Sequence, residues 1–346
     1  MRSDKVDFAF LDSGTGGIPY MISLHKKMPD AKCVYLGDTE NFPYGEKSPE
    51  QVTSCSSKTI RKIVSLWSPK VIVIACNTIS VTALEELRKL FPEISIIGTV
   101  PAIKLGAKVS KNKRIGLLAT NATVKHPYCQ RLIEDFASDC FVAKRGDPEL
   151  VDFIEKKYFT AGEEDRLKAV KPAADFFKSQ NCDTVILGCT HFTHIFNEMK
   201  KACGPDVKVV DSRDGVANQA LRKLKLELEG KSFSENETES EIDAENENEL
   251  KSEKIDSNSE IELKEPKSEK IDSETEIESK SETESNSKSK IETSAENLEN
   301  ETNANSASNS KNLENLTFFV TKASQKEILE YEILCRNMDI PWGGII

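Results

Sequence analysis

The chain has 346 residues, with 58 acids and 47 bases for a formal charge of −11; this length allows two or three domains of ~100–200 residues each. The acidity is concentrated: residues 231–313 hold 24 acids against 10 bases, which leaves the other 263 residues with a net charge of +3. A near-neutral folded part lacks the basic stripe of a nucleic-acid binder, and the longest apolar run, VIVIA at 71–75, falls far short of the ~20 residues that span a bilayer.

In chain order, short apolar runs rich in Val and Ile predict strands at 8–11, 33–36, 71–75, 95–99, 114–118, 140–143, 184–187 and 208–210. Continuous runs of this kind suit strands buried on both faces of a parallel sheet. Amphipathic stretches alternate with them. The stretch 48–67 opens on Ser48-Pro49, an N-cap followed by a first-turn proline. The stretch 78–90 carries Val81, Leu84, Leu87 and Leu90 at helical spacing. The rhythm implies an α/β fold with mainly parallel sheets.

Two halves look alike. FAFLDSGTGG from Phe8 corresponds to IGLLATNAT from Ile115, and VIVIACNTIS from Val71 to TVILGCTHFT from Thr184. Each half closes on a strand that runs into a cysteine, Cys76 or Cys189, and the two lie 113 residues apart. The expected division is a first α/β domain of 1–99 with 208–230 and 314–346, and a second of 100–207. The active site is expected in the cleft between these pseudo-symmetric domains.

Residues 231–313 differ, with Phe233 as their only aromatic and KSEKIDS repeated at 251 and 267. Such a segment buries too little apolar surface to offset its ordering entropy and is expected to be a disordered insertion, dispensable for chemistry. After it, 316–321 reads as a strand and 325–338 as a helix.

There are nine cysteines and no C-x-x-C. A chain this long needs no disulfide staples. The first residues also lack the apolar stretch of a secretory signal, so reduced thiols in a cytoplasmic protein are expected. Cys76 and Cys189 stand out because each sits at the carboxyl end of a strand and the start of a probable helix. Ligands bind beyond such strand ends, and a helix N-terminus lowers a thiol pKa. Each is followed by polar residues, Asn77-Thr78 and Thr190-His191, which are poor choices for a core. Two thiols in equivalent places of facing halves suit inversion of a stereocentre, in which one group removes a proton from one face and the other delivers one to the opposite face.

The loop Asp12-Ser13-Gly14-Thr15-Gly16-Gly17 has glycines able to adopt positive φ and expose N–H groups to an anion. With 37–45 and Thr120–Thr123 it offers small hydroxyls, amides and glycine N–H groups, an inventory for a small polar substrate. His191 reads either as a capping group or as one that tunes Cys189. Cys-x-His alone is too little for zinc. No Walker A loop, dinucleotide loop or pyridoxal lysine context occurs, so no metal and no cofactor are expected.

DSGTGG at 12–17, GDTENFPYG at 37–45, ACNTIS at 75–80, GTVPAIK at 98–104 and LGCTHF at 187–192, taken in order, resemble bacterial glutamate racemases. The resemblance covers residues 1–230 and resumes at 314. It implies a cofactor-independent enzyme with two α/β domains that makes D-glutamate for peptidoglycan and acts as a homodimer, without nucleic-acid or membrane partners. By the same resemblance, Cys76 serves the D-glutamate α-proton and Cys189 that of L-glutamate, assisted by Asp12 and His191. Ser13, Tyr44, Gly45, Asn77, Thr78 and Thr190 would hold the substrate, and Thr120, Asn121 and Thr123 would line the second half. Glu155 matches a family glutamate, although Gly146-Asp147-Pro148 replaces the cysteine-proline that often precedes that stretch. An aspartate racemase of the same superfamily, a thiol hydrolase built on Cys189 and His191, and a binding module acting through the insertion remain alternatives.

Overall fold

A computed structural model of the chain describes residues 5–229 and 315–346. The expected insertion lies outside the described residues. The described chain forms two open sheets, both in one compact unit. In the first, β1 (Phe8–Asp12), β2 (Cys33–Gly37), β3 (Val71–Ile74) and β4 (Ser95–Gly98) stand in the order β2-β1-β3-β4, all parallel. In the second, β5 (Arg114–Ala119), β6 (Phe141–Gly146), β7 (Thr184–Leu187) and β8 (Lys208–Val210) stand in the order β6-β5-β7-β8, again all parallel. Strand for strand the two orders are the same, so the resemblance of the halves extends from sequence to topology. The segment after the insertion adds β9 (Leu316–Val320) beside β2 and β10 (Trp342–Ile345) beyond it.

Helices cover both faces of each sheet, as buried parallel strands require. On the first sheet, α1 (Ile18–Lys27) packs with α10 (Arg213–Leu228), and α2 (Pro49–Trp67) with α3 (Asn77–Leu90). The core on the α1 side includes Phe8, Phe10, Tyr20, Tyr35 and Phe318, and the core on the other face includes Leu11, Ile60, Ile72, Ile74 and Leu87. On the second sheet, α4 (Ile103–Val109) and α6 (Pro127–Phe136) cover one face. There α5 (Asn121–Lys125) is a short helix after β5. The other face carries α7 (Pro148–Lys156), α8 (Glu163–Ser179) and α9 (Phe196–Cys203). A last helix, α11 (Gln325–Asn337), follows β9. Ser48 caps α2 as expected, in a full capping box with Gln51.

Two boundaries differ from the sequence reading. The strand 208–210, assigned to the first domain, pairs parallel with β7 in the second sheet. A helix such as α9 after a strand returns the chain beside that same strand, so the crossing to the first sheet falls between Val210 and Arg213. β6 runs on to Gly146 because it is an edge strand. Lys144 and Arg145 can point to water there, and the apolar pattern ends before the pairing does.

Candidate active site

Parallel strands place all their carboxyl ends on one edge, and each sheet brings a cysteine to that edge. Cys76 stands two residues beyond β3 and Cys189 two residues beyond β7. Both line one pocket of about 260 Å³ with Ser13, Tyr44, Gly45, Asn77, Thr78, Thr120, Asn121, Thr190 and His191. Phe42, Pro43, Glu46, Pro148, Val151 and Asp152 complete the wall. Of the residues expected from sequence, Asp12, Thr123 and Glu155 stand behind this wall and act on groups that form it.

Asp12 ends β1 and is fully buried. Its Oδ1 accepts from the Ser13 amide at 2.7 Å, and its Oδ2 from the Gly17 amide at 2.7 Å and the Tyr35 hydroxyl at 3.2 Å. Burial raises its pKa against the pull of His191. Burial, together with the neighbouring Asp12 carboxylate, pushes the Cys76 thiol well above its usual range. This reverses the expectation of a lowered pKa. Cys76 does stand at the N-cap of α3, but the helix terminus acts within one turn and is outweighed by desolvation and a nearby negative charge.

The Cys189 side is built differently. Cys189 Sγ lies 3.5 Å from His191 Nδ1, and His191 Nε2 lies 2.6 Å from Glu155 Oε1. That same oxygen accepts from the Thr15 amide at 2.8 Å and the Thr15 hydroxyl at 3.0 Å. Burial acts to lower the His191 pKa, but Cys189 and Glu155 override it and hold the imidazole well above its ordinary value. Burial acts to raise Glu155, and His191 and Thr15 override it, leaving the carboxyl low. The pair is therefore an imidazolium and a carboxylate. Glu155 reaches it from α7, whose start is fixed by Asp147: its side chain caps the helix by accepting from the Leu150 amide at 3.1 Å, with Pro148 following in the first turn. A different start to the helix thus still delivers the glutamate.

The glycines of the 12–17 loop have a role other than the expected one. Among the described residues only Gly204 and Gly344 are glycines with positive φ. What the loop needs is close approach. A Cβ on Gly16 would lie 2.7 Å from the His191 nitrogen and 2.8 Å from its ring, and one on Gly17 would lie 2.6 Å from the Ala75 side chain. The amides of Gly17 and Thr15 serve Asp12 and Glu155 rather than a substrate anion. Gly16→Ala is expected to displace His191, costing about 1–3 kcal/mol of stability and most of the turnover; thermal melts and an activity assay on the same preparation check this.

Asn77 is almost fully buried, and its amide donates to the Gly188 carbonyl at 2.6 Å. That bond fixes the side chain's orientation, and among the described residues its Oδ1 has no partner. Thr78 Oγ1 lies 3.5 Å from Thr120 Oγ1, joining the two halves, and Thr120 donates to Thr123 at 3.0 Å. Tyr44 lines the pocket, but its hydroxyl donates to Asp38 at 2.5 Å, so it is spent before any substrate arrives. Among the described residues, the wall contains no lysine or arginine. Its cation is His191, and two acids, Glu46 and Asp152, stand in it.

Residues 22–220 match the family described as Asp/Glu/hydantoin racemase. The chain is 38% identical over 221 residues to the glutamate racemase of Treponema pallidum (strain Nichols), covering 64% of this chain and 82% of that one. It is 40% identical over 216 residues to the glutamate racemase of Actinobacillus pleuropneumoniae serotype 3, covering 62% and 80%. A crystal structure of Escherichia coli glutamate racemase in complex with L-glutamate and the activator UDP-MurNAc-ala superimposes with a TM-score of 0.58 at 30% identity, covering 64% and 83%.

Proposed function

The chain belongs to the Asp/Glu/hydantoin racemase family and racemises glutamate, and we propose that it does so by moving protons between the substrate α-carbon and two thiols, Cys76 and Cys189. The observation that supports this most directly is that both thiols, one from each sheet, line a single small pocket. In the L-to-D direction, Cys189 takes the α-proton from one face, leaving a carbanion stabilised by the adjacent carboxylate of the substrate. Cys76 delivers a proton to the opposite face, and the D enantiomer leaves. The two sides suit these tasks. Cys76 is held protonated beside Asp12, as a donor should be. Cys189 must start as the thiolate and end as the thiol while Cys76 does the reverse, so the sulfur pair carries one negative charge throughout, and the imidazolium beside Cys189 can balance it. In the reverse direction Asp12, itself inclined to protonation, takes up the proton of Cys76 before that thiolate attacks.

Ser13, Thr78, Thr120, Asn121 and Thr190 supply neutral donors for the substrate carboxylates, and the unpartnered Oδ1 of Asn77 accepts from its ammonium. Asn77→Ala is expected to lower kcat/KM for glutamate about tenfold, in line with the ~1–3 kcal/mol carried by an unmet buried polar group, and to lower the melting temperature as well, because the Gly188 carbonyl loses its donor; steady-state kinetics in both directions and thermal melts check this. The same reading has the chain supplying D-glutamate for peptidoglycan in the cytoplasm as a homodimer, with no resident cofactor. Among the described residues no helix is long and apolar enough to cross a membrane. Circular dichroism of L-glutamate with purified protein and no added cofactor tests the function: the signal should decay to zero as the racemate forms. A signal that stays constant over many hours at high protein concentration refutes it.

A further inference from the structure

Besides Asp12 and Glu155, a further buried carboxylate lies beside the pocket, outside the chemistry described above. Asp38 is 1% exposed and accepts from neutral donors. Asn41 Nδ2 reaches both of its oxygens at 3.0 and 3.1 Å; Thr321 Oγ1 reaches Oδ1 at 3.1 Å; Thr59 Oγ1 and the Tyr44 hydroxyl reach Oδ2 at 3.0 and 2.5 Å. Of these donors, Thr321 alone comes from the segment that follows the insertion. Its hydroxyl also accepts from the Glu40 amide at 3.0 Å, so a single oxygen ties Asp38 to the loop backbone. Beside it, Thr39 Oγ1 donates to the Lys322 carbonyl at 2.5 Å and accepts from the Lys322 amide at 3.0 Å. The Thr321 amide donates to the Gly37 carbonyl at 3.0 Å. The turn after β9 is thus stitched to the loop that begins at Gly37.

The far end of that loop is the pocket wall, from Phe42 to Glu46. Its base packs closely on the 12–17 loop: a Cβ on Gly37 would lie 2.8 Å from the Gly14 carbonyl. Its middle is held through Asp38 and the stitch. We propose that Thr321 is a positioning residue for the racemase pocket: through Asp38 it fixes the loop that carries Tyr44 and Gly45 into the pocket wall. A carboxylate is an acceptor without donors, so every group that orients it must bring a proton. Loss of one hydroxyl leaves Oδ1 with Asn41 alone and frees the Glu40 amide, and a network of this kind loosens as a unit.

The proposal rests on the glutamate reading only for its kinetic arm, and a second arm is independent of catalysis. In the full-length chain, Thr321→Val keeps the shape and removes the hydroxyl, and Thr321→Ser keeps the hydroxyl. Thr321→Val should raise KM for glutamate about tenfold, with a smaller fall in kcat and a nearly unchanged melting temperature. It should also speed amide hydrogen exchange in peptides covering 40–46 while leaving the strands unchanged, and Thr321→Ser should restore both. Wild-type exchange over 40–46 in Thr321→Val overturns the proposal. So does faster exchange with an unchanged KM, or an equal defect in Thr321→Ser, which would assign the effect to packing. If Thr321→Val does not fold, Thr39→Val severs the Lys322 end of the same stitch and carries the same expectations. A wild-type protein that does not racemise glutamate refutes the functional reading and leaves the exchange arm standing.

Discussion

Cys76→Ala and Cys189→Ala should each lower racemisation by about 10²–10⁴-fold, the range for losing a positioned proton-transfer group. Both thiols are buried, at 5% and 4% exposure, and each side chain is small, so the fold should survive either truncation. Serine variants should separate the two roles. Cys76→Ser keeps Cys189 with His191 and Glu155, and should still exchange the α-proton of L-glutamate. Cys189→Ser keeps Cys76 with Asp12, and should still exchange that of D-glutamate. Neither variant should complete inversion efficiently, because a hydroxyl of far higher pKa must take the other part. Proton exchange followed by NMR from each enantiomer reads the difference. A single variant that racemises at the wild-type rate would sink the two-thiol account.

Glu155→Gln should have the next largest effect, and the effect should depend on pH. The folded-state pKa of His191 lies above its ordinary 6.5, so its contribution to stability is complete below that value and is lost as pH rises through the raised one. The Glu155 carboxyl is lowered from 4.5, so its contribution is present above that value and is lost as pH falls through the folded one. The pair therefore supports the fold most fully between pH 4.5 and 6.5. Removing the carboxylate leaves a buried imidazolium with Cys189 as its remaining partner, which costs up to about 3–5 kcal/mol until His191 gives up its proton. Glu155→Gln should melt well below wild type in that window and approach it at high pH. kcat/KM should fall equally for L- and D-glutamate, because Cys189 takes part in both directions and the equilibrium constant between the enantiomers is one. Melting curves across pH with a constant gap between the two proteins would contradict the charged pair.

Much of this was legible from local sequence. Strands buried on both faces leave continuous apolar runs, so β3 and β7 and the cysteines beyond them are placed by the sequence alone. The Ser48 cap was equally visible, because capping is decided within four residues. Interactions that reach across the chain left weaker signals. Glu155 lies 140 residues from Thr15 and 36 from His191, and only the family resemblance pointed to it. Asp38 gathers Thr59 and Thr321 from distant segments, and no spacing rule connects them. The 12–17 glycines were misread because a glycine needed for positive φ and one needed for close approach are written with the same letter. The Cys76 pKa was misread for a related reason: the helix terminus is a local feature, whereas the burial and the Asp12 charge that outweigh it come from the assembled sheet. β10 escaped notice because a tryptophan followed by two glycines carries little strand signal.

The most direct test of the central claim is isotope incorporation by the wild-type protein in heavy water, starting from fully protiated L-glutamate and stopped after a small fraction has turned over. Two thiols on opposite faces predict that the D-glutamate formed carries solvent deuterium at its α-carbon from the first turnovers, while the remaining L-glutamate stays protiated. D-glutamate that retains the substrate's own α-hydrogen would mean one group serving both faces, and would contradict the account.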